Sequence, residues 1–82
     1  MTATTGKTRV ELTQLADEAL RSQPGCETAS VPAVQGLPNI REGRNWEIPN
    51  VVLGDSLISD VDRAVMSVHR RLGREYHLVA GD

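Results

Sequence analysis

Apolar residues return at three- and four-residue intervals in two stretches of the chain, and in the interval between them they do not. In the first stretch Leu12, Leu15, Ala16, Ala19 and Leu20 keep helical spacing. "TRVE", Thr8 to Glu11, stands before it in the T-x-x-E form of a capping box: the Thr hydroxyl accepts from the third amide and Glu11 reaches back to the cap. Asp17 and Glu18 fall on the outer face, and Pro24-Gly25 closes the helix. The stripe is narrow and rich in alanine. In the second stretch Leu57, Ile58, Val61, Ala64, Val65, Val68, Leu72 and Tyr76 fall within a sector of roughly 120° on a helical wheel. Ser56 or Ser59 is positioned to cap this helix, Ser59 with Asp62 in box-like spacing, and Asp60 and Asp62 suit the positive end of its dipole. Gly73 interrupts the pattern, as early fraying or as a close contact. The closing "HLVAGD" either extends the helix or forms a short strand.

Between the helices Pro32, Pro38 and Pro49 exclude a third. Short β-rich runs remain at Thr28 to Val34, Leu37 to Arg41 and Asn45 to Leu53. "EGR", Glu42 to Arg44, separates the last two and holds a glycine able to take positive φ. A three-residue loop sets Ile40 opposite Trp46. A two-residue Glu-Gly turn sets Asn39 opposite Trp46 and Leu37 opposite Ile48. The first puts both large apolar groups on one face and is preferred. Period two then turns Trp46 and Ile48 inward and Asn45 and Glu47 outward. Asn45 and Asn50 are placed to close turns at the strand ends, and Pro49 ends the ladder.

These elements predict one α+β domain over 8–82, with residues 1–7 a disordered tail. The order is helix, two or three short antiparallel strands, long C-terminal helix, with both helices packed on one sheet face. The expected core is Leu12, Leu15, Leu20, Ile40, Trp46, Ile48, Val52, Val61, Val65, Val68 and Leu72.

Composition narrows the function. The chain has 82 residues, one tryptophan, one tyrosine and no phenylalanine. Its core is therefore aliphatic and thin, with a stability of about 3–5 kcal/mol expected unless self-association adds area. The formal net charge of −2 disfavours nucleic acid and anionic membranes. Eight of the nine basic residues are arginine, which codon usage in a GC-rich genome or a phosphate-binding role would each explain. The single cysteine, Cys26, excludes an internal disulfide and a cysteine-built zinc site and suits a reducing cytoplasm. No stretch has signal-peptide or membrane-span character, so a cytoplasmic protein is expected.

Candidate chemistry is sparse. Arg63, Arg70 and Arg74 share the helix face opposite the apolar stripe, and Arg71 is spaced to pair with Glu75. Such a row can grip phosphates or carboxylates, or serve as a solvated face near the helix C-terminus. His69 and His77 are eight residues, about 12 Å, apart along the helix, too far to share a metal. His69 reads as a hydrogen-bonding residue at the rim of the core. Cys26 follows a turn and has no partner spacing for nucleophilic catalysis, so it reads as a small buried hydrophobe. No phosphate loop or dinucleotide fingerprint is present. No enzyme, cofactor or metal is expected from these residues. Trp46 reads first as a core anchor, and otherwise as a binding surface.

The G-x-N-W strand, Gly43 to Trp46, followed by a helix ending in R-x-Y-x-L, Arg74 to Leu78, resembles a type of small uncharacterised bacterial α/β protein. The resemblance covers the last half of the chain. It implies the strand–helix order and carries no activity. The function expected is a small interaction module for an unknown protein partner or a second copy, docking by its hairpin edge. The alternative is a nucleic-acid or acidic-partner binder using Arg63, Arg70 and Arg74.

Overall fold

Six elements form in the computed structural model, which describes residues 4–41 and 43–79. In chain order they are β1 (Thr5–Lys7), α1 (Arg9–Arg21), β2 (Gln35–Arg41), β3 (Arg44–Glu47), α2 (Ile58–Glu75) and β4 (Tyr76–Leu78). The class is α+β, as the two periodic stretches predict. The sheet differs from the expectation: four strands form two pairs, β1 parallel to β4 and β2 antiparallel to β3.

α1 begins where the capping box places it. Thr8 Oγ1 accepts from the Glu11 amide at 3.2 Å, and Glu11 Oε1 accepts from the Thr8 amide at 3.1 Å. Leu12, Ala16 and Leu20 are its buried residues, with Leu15 and Ala19 packed at the margin. Asp17 does not face water alone. It pairs with Arg21 at 3.3 Å and accepts from the Val31 amide at 2.8 Å. Thr13 accepts likewise from the Val34 amide. α1 thereby holds the 30–34 segment, whose only ladder contact among the described residues is the Ser30–Val52 bridge.

Thr5–Lys7 correct the expectation of a tail. They form β1 because β4 offers an edge directly after α2, where the chain leaves the helix at Tyr76. The Val79 amide donates to the Lys7 carbonyl, and the Lys7 ammonium lies 5.6 Å from the centre of the Tyr76 ring. The tail expected over residues 1–3 lies outside the described residues.

The hairpin matches neither expected register. At its tip Arg41 stands opposite Arg44, the pairing of the two-residue alternative, with Gly43 at φ 83°. Gly36, however, stands opposite Trp46, so five steps along β2 face two along β3. The surplus lies around Pro38, which has no amide hydrogen for a ladder. Ile40 is carried out of the core and is 75% exposed. Val52 is likewise exposed, with its backbone paired to Ser30.

The remaining core is close to the expected one. Leu12, Leu20, Trp46, Ile48, Val61, Val68 and Leu72 are buried, and Leu15 and Val65 pack partly against them. Ala29, Val31 and Val34 join them, and Cys26 does so as the small hydrophobe expected. Trp46 is fully buried, and its Nε1 donates to the Tyr76 carbonyl at 3.2 Å. Burying so large a side chain contributes about 2–3 kcal/mol in a core otherwise made of small residues.

The two strand pairs are joined by a side chain rather than a ladder. Asn45 Nδ2 donates to the Leu78 carbonyl and Asn45 Oδ1 accepts from the Leu78 amide, both at 2.9 Å. The carboxamide thus takes the place of one peptide group of a neighbouring strand. Asn45, expected to face water or close a turn, links β3 to β4.

Candidate functional site: the outer face of helix α2

α2 buries Val61, Ala64, Val68 and Leu72. Its first turn departs from expectation. Leu57 occupies the cap position with no side-chain hydrogen bond, so neither Ser56 nor Ser59 caps the helix. Ser56 Oγ is buried with no hydrogen-bond partner among the described residues. Leu57 and Ile58, which the periodicity places toward the core, are 66% and 64% exposed. The 48–53 loop stands across an open hollow from Ile58 and does not cover it.

Opposite the core runs a row at four-residue spacing: Ile58, Asp62, Met66, Arg70, Arg74. All five are exposed, Met66 at 63%. Two cavities lie along this row. The first, of about 640 Å³, is bounded by Ile48, Val51, Leu53, Ile58, Val65 and Met66 among others. The second, of about 450 Å³, is bounded by Arg44, Met66, His69, Arg70, Gly73 and Arg74. Met66 and His69 border both, so an apolar and a cationic hollow adjoin along one helix.

The floor between them is tied together by hydrogen bonds. Arg44 is only 6% exposed, and its Nε donates to the Trp46 carbonyl at 2.9 Å. Its Nη2 lies 3.3 Å from His69 Nδ1. The Ile48 amide donates to His69 Nε2 at 2.9 Å, which makes that nitrogen an acceptor. The His69 ring meets Trp46 edge-on, with centroids 5.8 Å apart. His69 is therefore the half-buried hydrogen-bonding residue that its place on the wheel predicts. Gly73 is explained as well: α2 continues through it, with the Arg44 stem alongside.

The three arginines do not act as one group. Arg70 and Arg74 share the cationic hollow, joined there by Arg44 from β3. Arg63 is held 2.6 Å from Asp60 and borders a different hollow with Pro24 and Gly25. Among the described residues no ion pair joins Arg71 to Glu75. Trp46, the other candidate, is reached by no ligand because it is wholly buried. Sequence reasoning passed over Met66 and Arg44 and read Asp62 only as a first-turn acid of the helix. The four-residue row was available to find Met66 and to set Asp62 beside it. The period of β3, which puts Arg44 on the same face as Trp46 and Ile48, was available to find Arg44.

The cysteine is insulated from such chemistry. Cys26 is fully buried, and its thiol contacts the Asp60 carbonyl at 3.7 Å. Burial, reinforced by the negative charges of Asp60 and Glu27, pushes its pKa up. Among the described residues no group of three or more His, Cys, Asp or Glu side chains could hold a metal ion, and no helix is long and apolar enough to cross a membrane. Comparison with known protein families, curated proteins and solved structures finds no match for the chain.

Proposed function

We propose that the chain is a small non-enzymatic protein-interaction module that docks through the outer face of α2. The observation that carries this is the pairing of exposed Ile58 and Met66 with the apolar hollow they border. Exposed apolar surface lining a groove marks a site for another protein. The hairpin edge is the poorer docking surface, because Pro38 and the register break interrupt its row of donors. Cys26 is a buried thiol with a raised pKa and His69 is committed to the Ile48 amide, which leaves neither poised for catalysis.

Binding to an acidic partner is the second reading, favoured by Arg44, Arg70 and Arg74 around one hollow. A nucleic-acid role fits less well. The net charge is −2, and Trp46 offers no stacking face.

Selection of peptides from a displayed random library tests the docking face. We expect enriched sequences with apolar anchors whose binding is lost on Met66→Asp and kept on Ile40→Asp. Acidic residues among them, with loss on Arg70→Glu, would support the second reading. No enrichment, or equal damage from Ile40→Asp, would overturn the assignment of the face.

A further inference from the structure

The middle of the row, Asp62, Met66 and Arg70, has a symmetry that its members taken singly do not show. Met66 stands at its centre. One turn toward the N-terminus is an acid, and one turn toward the C-terminus is a base. Reversing the row exchanges the two charges and leaves the apolar centre in place. We propose that the occupant of this face is a second copy of the same chain, packed with its α2 antiparallel about a twofold axis at Met66.

Four-residue rows are the ridges that interdigitate in the commonest helix–helix packing, at about 50° between axes, and in that arrangement the two rows run side by side. With Met66 against Met66 of the partner subunit, Asp62 falls beside Arg70 of the partner subunit. The twofold axis forms the same contact a second time. Four residues advance about 6 Å along a helix, so both ion pairs lie within one turn of the centre. Among the described residues neither Asp62 nor Arg70 has a hydrogen bond or ion pair of its own, so no internal pair need be broken. Ile58, about two-thirds exposed, stands two turns from the centre, on the side of Arg74 of the partner subunit. A contact built on one helix pair is at the small end of stable interfaces, below about 1,200 Å², so association in the micromolar range is expected.

The inference rests on the reading of α2 as the docking face and adds the identity of the partner. Sedimentation equilibrium of the full chain tests it. The native chain is expected to show a monomer–dimer equilibrium. Asp62→Arg alone sets arginine against arginine at two places, and Arg70→Asp alone sets acid against acid; each is expected to weaken association about tenfold or more. An equal mixture of the two variants restores opposite charges at both contacts and is expected to associate as a heterodimer. The double swap Asp62→Arg/Arg70→Asp is expected to dimerise again by itself. Circular dichroism establishes that each variant is folded. A native chain that stays monomeric at the highest soluble concentration overturns the proposal, as does a dimer indifferent to both single charge reversals. If the native chain is monomeric yet selected peptides still require Met66, self-pairing fails while the docking face stands.

Discussion

Asn45→Ala is expected to cost more than a half-exposed polar residue ordinarily would, because the side chain stands in for a strand. The native carboxamide gives one hydrogen bond and receives one, each 2.9 Å long, at the single residue Leu78. Each such bond contributes about 1 kcal/mol net, and each Leu78 group is half-buried and would be left without its partner. The total is about 2–3 kcal/mol, which is much of the stability expected of so small a domain. At about 4–8 °C per kcal/mol, the midpoint of thermal unfolding should fall by about 10–20 °C. Asn45→Asp makes the reasoning sharper. One carboxylate oxygen still accepts from the Leu78 amide, but the other opposes the Leu78 carbonyl. Protonation restores a donor there. The folded-state pKa of the introduced carboxyl is therefore raised above its unfolded value of ~3.9. The variant should match the native chain best below that value and lose ground as pH rises through its folded pKa. Urea unfolding of all three proteins between pH 3 and 7 measures this. If Asn45→Ala unfolds within about 0.5 kcal/mol of the native chain, Asn45 does not join the strand pairs.

Three further predictions concern stability and reactivity. The Thr8 amide and hydroxyl hold the Glu11 carboxyl below its ordinary pKa of 4.5; the capping box therefore adds stability above that value that is lost as pH falls through the folded pKa, and Glu11→Gln should flatten the acid limb of a stability–pH profile. Cys26 should resist a thiol reagent at pH 8 in the native state and react fully in urea; equal rates in the two conditions would contradict its burial. Gly54→Ala should be severely destabilising, because φ is +59° and the added Cβ would lie 2.4 Å from the Thr28 carbonyl oxygen, whereas Gly73→Ala meets the Arg44 stem at 3.5 Å and should gain up to about 1 kcal/mol of helix propensity.

Local signals in the sequence described local structure well. The capping box, the buried stripe of α2 and the inward Trp46 all depend on spacing within a few residues, and all are found. What the sequence did not disclose depends on partners far along the chain. β1 exists because β4 lies beside it, more than sixty residues later. Ile40 leaves the core because the hairpin slips around Pro38, which no single-register reading anticipates. Leu57 and Ile58 fit the wheel's apolar sector but are left exposed, Ile58 across an open hollow from the 48–53 loop. The candidate site shows the same division. Arg70 and Arg74 were legible as a pair on one face. Their separation from Arg63 and their union with Arg44 required the position of β3 and the Asp60 ion pair.

Methyl NMR of the chain at increasing concentration asks most directly where this protein docks. The Met66 methyl resonance should move or broaden as concentration rises from the low micromolar to the millimolar range, while the methyl groups of exposed Ile40 and buried Leu12 stay unchanged. A fixed Met66 signal accompanied by a shifting Ile40 signal would place the contact on the hairpin edge and contradict docking through α2.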